Sequence, residues 1–591
     1  MYTSEKIKRF NEWRHRHITN RTFLIIASVF VGIVAGLAAI VLKTVVHRIQ
    51  RLLQFILEDE KFNFLLVVFP LIGILLTVYY VQKFRKGKIG RGVSNLLLAI
   101  AKRSSNIERD KTYSQMITSA LTIGFGGSAG LEAPIVVTGA AIGSNAAKVF
   151  GMSYQERTLL LACGVSAGIA AIFNSPIAGV LFAVEVIIYE ISIPTFIPLL
   201  IATATASVLS NLLYKGQLFF LITTGWHMNA ILFYIVLGIV MGLMSVYVSR
   251  TSIFVEGIFK SKKRPYLKGV IGGIALGVMI FFLPPLYGEG YNTIENLLGS
   301  NYQSLLDNSL FTKFADNAWF IVLIAFIIIL VKIIATSITI GAGGNGGVFA
   351  PSLFIGALSG FVFARIINLL GIIELTEANF IVAGMAGALS GVVHAPLTAI
   401  FLIAEITGGY VLFVPLMIVS SISYLISRYF EPHSIYMKKL AAGGLLKSDK
   451  DKSVLNKIKL SYLVETDFVP VKPGDTLGEL VDKIAHSKRN IFPVVDDYGK
   501  LSGIVLLDNI RDIMFHHERY DTTLVKDLMT LPPVTIKSDE EMFNVMKLFD
   551  NYNAWNLPVT ENGKYVGFVS KSTIFTRYRS LLIKHSEQPF T

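Results

Sequence analysis

The sequence predicts an all-α polytopic membrane protein, built as two inverted repeats of broken helices and followed by a cytoplasmic α/β pair of small domains. Three observations carry that reading. A chain of 591 residues would make roughly four soluble domains, but 53% of it is hydrophobic, only 16% is charged and mean hydropathy is +0.59, values that a water-soluble chain does not reach. Charge is also unevenly placed: residues 447–591 hold 20 basic and 20 acidic side chains, leaving 34 basic against 20 acidic in residues 1–446 and with them the whole net charge of +14. Finally, two apolar regions interrupted by Gly and Pro repeat one another, and so do two halves of the polar tail.

In chain order, residues 1–21 form a basic arm, too long and polar for a signal n-region. The apolar run Thr22–Val41 exceeds the roughly 7–15 residues of a signal h-region. It is expected as a retained first transmembrane helix that opens a membrane domain over 22–440, with repeats at about 63–250 and 266–427. Apolar runs near 22–46, 63–82, 193–213, 230–248, 266–283 and 317–339 each match the roughly 20 residues that a bilayer demands. Between residues 112 and 249 the only charged side chains are Glu132, Lys148, Glu156, Arg157, Glu185, Glu190 and Lys215, too few for a water-facing surface. Basic clusters at 6–21, 83–91, 102–111 and 260–268 place the arm, and the tail with it, on the cytoplasmic side of the cell (plasma or inner) membrane. This basicity reports orientation in a lipid bilayer and gives no reason to expect nucleic acid.

The repeat is the most informative feature. GFGGSAGLEAPIVVTGAAIGS (124–144) aligns without gaps to GAGGNGGVFAPSLFIGALSGF (341–361), pairing Pro134 with Pro351 and Glu132 with Phe349. Farther on, FNSPIAGVLFAVEV (173–186) aligns to VHAPLTAIFLIAEI (393–406), pairing Pro176 with Pro396 and Glu185 with Glu405. Around 117–192 and 338–427 the apolar sequence is broken every few residues, which lipid tolerates where irregular backbone is buried or lines a cavity. Repeated halves with interrupted helices are the pattern of transport proteins whose substrate site lies at the repeat interface. Small residues for tight helix packing are the plainer explanation, but they account for neither the prolines nor the register.

Residues 441–459 are charged and contain Gly, and read as a linker. Beyond it, NIFPVVDDYGKLSGIVLLDNIRDIM (490–514) resembles NLPVTENGKYVGFVSKSTIFTRY (556–578), with amphipathic stretches at 477–486 and 541–552. Two β-α-β-β-α domains are expected, at 460–528 and 529–582, sharing one core.

A lone carboxylate in an apolar, Gly-flanked stretch is costly in a membrane and marks an ion or proton pathway. Glu132 is that residue, and no Lys or Arg lies within fifteen positions of it. Pro134 suits the first turn of a helix, while Gly130 and its neighbours let backbone N–H groups turn toward one point, where an anion is attracted. The same holds for Gly346 to Pro351, so both helix N-termini can face a common centre and the expected cargo is an anion. Cys163, the single cysteine, cannot form an intrachain disulfide and reads as a small core residue. No nucleophile–base pair or metal-ligand spacing appears, so neither an enzyme nor a metal site is expected. His15, His17, His516 and His517 read as solvated.

These residues resemble a known family. Gly-Leu-Glu-Ala-Pro (130–134) and Gly-Val-Phe-Ala-Pro (347–351), with Ser-Ile-Tyr (434–436) near the end of the membrane part, look like the CLC chloride channels and chloride/proton exchangers. The tail looks like the pair of CBS domains that many CLC proteins carry, so the resemblance covers nearly the whole chain. It implies a homodimer with one pore for chloride and similar small anions in each subunit, and no required cofactor. It also implies that Glu132 is the gate, and that chloride is held by the backbone amides of Val348 and Phe349 and by the Tyr436 hydroxyl.

The chain departs from the family pattern at three places. Where the family commonly reads Gly-Ser-Gly-Ile-Pro, this chain has Gly90-Arg91-Gly92-Val93-Ser94, so Arg91 stands at the chloride-donating serine and is either an anion contact or a topology residue beside Lys86 and Lys88. Where exchangers usually have two successive glutamates, the chain keeps Glu185 as a proton-pathway candidate and puts Val186 at the inner relay position. Glu405, its repeat partner, makes a capping or hydrogen-bonding role for Glu185 an equal expectation. In the CBS pair, the aspartate that accepts from ribose is out of place: Asp508 and Asn509 stand near it in the first copy, Ser570 and Thr573 in the second. Adenine nucleotide is thus one expectation for the tail and a purely structural role the other. The reading favoured by the sequence is a passive chloride channel gated by protonation or displacement of Glu132. A chloride/proton exchanger with an atypical inner proton route is the first rival, and a membrane-anchored CBS nucleotide sensor the second.

Overall fold

In lipid a backbone satisfies its polar groups within its own helix, so apolar runs of sufficient length become helical. The computed structural model describes residues 5–57, 65–87, 89–90, 92–102, 104–188, 193–214, 225–260, 264–442, 455 and 458–586. Among them nine helices are long and apolar enough to cross a bilayer, which makes this a multi-pass membrane protein. The chain forms two units, residues 1–445 and 446–591. The first runs through α1 (Glu5–His17), α2 (Asn20–Leu57), α3 (Leu65–Arg85), α4 (Val93–Lys102), α5 (Lys111–Gly124), α6 (Glu132–Val149), α7 (Tyr154–Phe173), α8 (Pro176–Phe182) and α9 (Ile193–Leu213). It continues with α10 (Ile231–Lys260), α11 (Pro265–Phe282), α12 (Tyr291–Leu298), α13 (Ala318–Gly341), α14 (Phe349–Leu369), α15 (Glu377–Val393), α16 (Pro396–Ile406), α17 (Phe413–Phe430) and α18 (Lys438–Ala442).

The sequence repeat is a structural repeat: α6, α7 and α8 correspond to α14, α15 and α16. Helices α6 and α7 approach so closely that a Cβ on Gly139 would lie 2.1 Å from the Gly164 carbonyl oxygen, and one on Gly356 would lie 2.3 Å from that of Gly384 between α14 and α15. This corrects part of the sequence reading. Residues 154–173, 349–369 and 413–427 fall in stretches predicted to be broken, yet each belongs to one uninterrupted helix. Many of the small residues there bring helices together and do not interrupt them.

The interruptions that remain are short and matched. Asn174 and His394 take left-handed conformations, φ 55° and 60°, and end α7 and α15. Pro176 and Pro396 then open α8 and α16, where the missing N–H costs nothing. The other matched pair of loops, 125–131 and 342–348, precedes α6 and α14. Ser153 and Glu156 cap each other reciprocally and start α7, which accounts for one of the few charges in this stretch.

In the second unit, β1 (Ile491–Val495) pairs antiparallel with β2 (Leu501–Leu506), while β3 (Ile536–Lys537), β4 (Asn556–Glu561) and β5 (Lys564–Ser570) form a sheet in that order. With helices Met542–Asn551 and Lys571–Ser586, the second copy is the expected β-α-β-β-α domain. The first copy is reduced. Its leading strand is a single parallel bridge, Val471 to Val494, and the helix after β2 is one turn, Leu507–Ile510. Pro470 and Pro473, which flank Val471, have no N–H for a longer ladder. Phe468, Ile504 and Phe568 join the copies in one apolar cluster, with the two phenylalanine rings 4.6 Å apart. Most of the expected linker 441–459 lies outside the described residues.

Candidate functional site

The two repeats touch at their glycine loops. The Gly130 N–H donates to the Gly347 carbonyl at 2.9 Å and the Gly347 N–H to the Gly130 carbonyl at 2.8 Å, a two-residue antiparallel ladder between positions that the sequence alignment pairs. It sets the first turns of α6 and α14 side by side. Neither start has a side-chain cap from its own N-cap residue, Leu131 or Val348. Free N–H groups and aligned helix dipoles make such a place attractive to negative charge.

Glu132 is the first residue of α6 and is 1% exposed. Its Oε1 accepts the Tyr291 hydroxyl at 2.7 Å, whereas Oε2 is buried without a hydrogen-bond partner. The backbone N–H groups of Ala350 and of Glu132 itself face the carboxylate. Oε2 also lies 2.1 Å from where a Cβ on Gly130 would be, so only glycine fits beside this rotamer. The carboxylate thus lies at the start of α14, the kind of place that attracts an anion.

Sequence reasoning missed what surrounds Glu132. Tyr291 opens α12, and Glu289, two residues earlier, accepts the Leu131 N–H at 3.1 Å. Lys332, fully buried on α13, donates to the carbonyls of Leu286 and Gly288 at 3.2 and 3.0 Å. Among the described residues neither carboxylate has a base at ion-pair distance. The rule that singled out Glu132, a lone charge in apolar sequence, applies equally to Lys332 and would have found it, whereas Glu289, six positions from Glu295 in a polar turn, does not stand out by it.

Four of the predicted anion contacts meet in space. Gly92, Val93, Val348 and Tyr436 line one cavity of about 230 Å³, with Ala133, the neighbour of Glu132, in its wall. Ser252, Glu256 and Lys438 line it as well, none of them expected from sequence. Gly130 lies in the loop ladder and Phe349 packs its ring against Phe173 and Phe182, with centroids 5.5 and 6.2 Å away. The Gly90 carbonyl accepts from Gln115 at 3.3 Å, and Gly90 does not line the cavity. Arg91 lies outside the described residues.

Glu185 and Glu405 form a matched pair of another kind. Glu185 accepts the Leu397 and Thr398 N–H groups at 3.1 and 2.8 Å and the Thr398 hydroxyl at 2.6 Å, at the start of α16. Glu405 accepts the Ile177 and Ala178 N–H groups at 3.2 and 3.0 Å, at the start of α8. Each carboxylate caps the other repeat's helix. Val186 lies beside Glu185 in the wall of a second cavity, of about 220 Å³.

In the tail, Asp508 and Asn509 are exposed, and Asp508 pairs with Arg511 at 2.5 Å. Ser570 and Thr573 instead donate to the Glu465 carboxylate at 2.9 and 2.7 Å, and Arg489 pairs with its other oxygen at 2.7 Å. Burial alone would raise the Glu465 carboxyl, but the Thr573 and Ser570 hydroxyls and the Arg489 charge outweigh it and hold the group below the ordinary carboxylate range. The two hydroxyls expected at a nucleotide are engaged by a side chain of the tail itself.

Residues 73–428 match the model of the voltage gated chloride channel family, and residues 460–516 and 525–580 match that of the CBS domain. The chain belongs to the CLC chloride channel and transporter family. A voltage-gated ClC-type chloride channel, ClcB of Escherichia coli, is 28% identical over 331 residues, 55% of this chain and 74% of its own. An H(+)/Cl(-) exchange transporter, ClcA of Vibrio campbellii, is 26% identical over 466 residues, 74% of this chain and 93% of its own. A slow cyanobacterial Cl-/H+ antiporter shares the fold, with a TM-score of 0.61 at 22% identity over 72% of this chain and 99% of that one. This CLC protein therefore transports anions and is not an enzyme, and its relatives include both a channel and an exchanger.

Proposed function

We propose that the protein conducts chloride passively, with Glu132 as the gate. The observation that carries this is the Glu132 carboxylate: buried, half hydrogen-bonded, without a base, and laid against the Ala350 amide at the start of α14. Ionised, it takes the place that an anion would take and closes the path. Neutralised, it loses its attraction to the amides and can swing aside, and chloride passes from the cavity lined by Val348 and Tyr436. The Tyr436 hydroxyl and helix amides supply the donors, and Lys438, the cation in the cavity wall, is paired with Glu431, which favours binding weak enough for conduction. Uncoupled flow follows from Val186, which cannot carry a proton, and from Glu185, whose two oxygens are held by α16.

A second reading, a chloride/proton exchanger, draws on Glu256, an acid in the wall of the same cavity and an atypical inner proton donor. In either reading two subunits pair as a homodimer, each with its own path, and the basic clusters keep the N-terminal arm and the CBS tail in the cytoplasm. The tail serves a structural role, since Ser570 and Thr573 already bind Glu465. The deciding experiment is the reversal potential of the full chain in liposomes under a chloride gradient, with and without a roughly tenfold proton gradient. A channel follows the chloride Nernst potential in both; an exchanger is displaced by the proton gradient in a fixed ratio.

A further inference from the structure

A second carboxylate stands beside the gate, and a gate made of Glu132 alone would not need it. Glu289 lies in the turn between α11 and α12, is 8% exposed, and accepts the N–H of Leu131, the residue immediately before Glu132. Two positions on, Tyr291 donates its hydroxyl to Glu132 itself. The segment 287–291 is tied down along its length. The Tyr287 ring fills the space over Gly126, the Gly288 N–H donates to the Gly126 carbonyl at 3.2 Å, and Lys332 grips the Gly288 carbonyl from α13. One short stretch therefore holds residues 131 and 132 together, and one of its grips is a carboxyl that can ionise.

Capping Leu131 needs only an acceptor, which glutamine would supply without burying a charge. The surroundings are organised for charge. Facing Glu289 are Glu132 on α6, Tyr291 on α12, Lys332 on α13 and Lys43 on α2, with Tyr214 beyond, next to Lys43. His47 and Arg51 of α2 lie behind Tyr214. Lys43 donates to the Ile172 carbonyl at 3.1 Å, as Lys332 does to its two carbonyls, so both lysines face Glu289 without forming an ion pair with it. Two acids and two bases thus share one poorly solvated cluster, where a unit charge acts strongly on its neighbours.

We propose that Glu289 is a positioning residue for the gate: its charge, beside Glu132 and set against Lys332 and Lys43, fixes the pH at which Glu132 is neutralised and the path opens. This rests on the reading of Glu132 as the gate. The sign follows from electrostatics. A negative neighbour makes Glu132 easier to protonate, so removing that charge makes opening require more acid, and removing the Lys332 charge does the reverse.

The test is chloride efflux from liposomes holding the full chain, followed from about pH 4.5 to pH 7.5, for wild type, Glu289→Gln, Glu289→Asp, Lys332→Gln and Glu132→Gln. Glu289→Gln keeps the acceptor for Leu131 and should move the midpoint of activation acid by about one pH unit, with Glu289→Asp near wild type. Lys332→Gln should move it the other way, and it reads the same cluster if Glu289→Gln yields no monodisperse protein. An unmoved midpoint in both charge variants, or a uniform loss of flux at every pH, would overturn the proposal and leave Glu289 a cap. Glu132→Gln separates the two ideas. A flat profile there with unmoved midpoints in the others removes Glu289 alone, whereas a wild-type profile in Glu132→Gln removes the gate, and this inference with it.

Discussion

The loop before α6 and the loop before α14 are one backbone used twice, and they differ in a single consequential side chain. At the first helical position the first repeat has Glu132 and the second has Phe349. The phenylalanine ring is absorbed by Phe173 and Phe182, so α14 presents its N–H groups with no acid of its own. The glutamate from α6 lies against one of them, the Ala350 N–H, instead. Glu185 and Glu405 show the opposite case, since both repeats keep the acid and each caps the other's helix. Features that survive duplication here are architectural, and the feature that breaks it is where an ion could compete with a side chain.

The largest effect expected from that contrast falls on the matched glycines. Gly139→Val and Gly356→Val should each prevent recovery of monodisperse protein, because a Cβ would lie 2.1 or 2.3 Å from a backbone oxygen of the facing helix. Size-exclusion chromatography in detergent reads this; a variant that survives in one repeat but not in the other would break the equivalence.

Next are the caps. Glu185→Ala and Glu405→Ala each leave two amides at a helix start unpaired and should cost about 2 kcal/mol, seen as similar drops in thermal unfolding midpoint. Both should keep the pH response of chloride flux. Loss of that response in Glu185→Ala alone would move this residue from scaffold to pathway.

The tail repeats the lesson on a smaller scale, since its second copy has the hydroxyls that bind Glu465 and its first copy offers exposed Asp508 and Asn509. The Glu465 carboxyl is held below its ordinary value when folded, so its contribution is present at neutral pH and is lost as pH falls through that lowered value. Glu465→Gln should therefore cost less than about 1 kcal/mol at pH 7 and reduce the acid sensitivity of the full chain's unfolding. An equal loss at neutral and acid pH would count against the ionised form being the one that holds Ser570 and Thr573.

The smallest effect concerns Arg91, which lies outside the described residues while its neighbours Gly92 and Val93 line the cavity. If Arg91 faces the anion path, Arg91→Ser should weaken chloride binding by calorimetry and change the chloride/nitrate preference, and Lys86→Ser should do neither. Equal small changes in both would assign Arg91 to topology.

How far the sequence went follows the same division. The duplication and the isolation of Glu132 were legible because each lies within a short motif, and the company of Gly92, Val93, Val348 and Tyr436 followed from the family resemblance. Helices α7, α14 and α17 were read as broken because glycine looks alike in a kink and in a close helix contact, and only the partner helix tells them apart. The pairing of Glu185 with Glu405 was visible, but not that each carboxylate crosses to the other repeat. Tyr291 and Glu289 went unseen because they reach Glu132 and Leu131 across more than 150 positions of chain.

The central claim is that Glu132 closes the path by taking an anion's place, and chloride efflux from liposomes near pH 4.5 and pH 7.5 tests it most directly. Wild type should pass chloride faster at the acid pH, where the carboxylate is neutral, and Glu132→Gln should pass it at the acid rate at both. A Glu132→Gln variant that keeps the wild-type pH response would contradict the account.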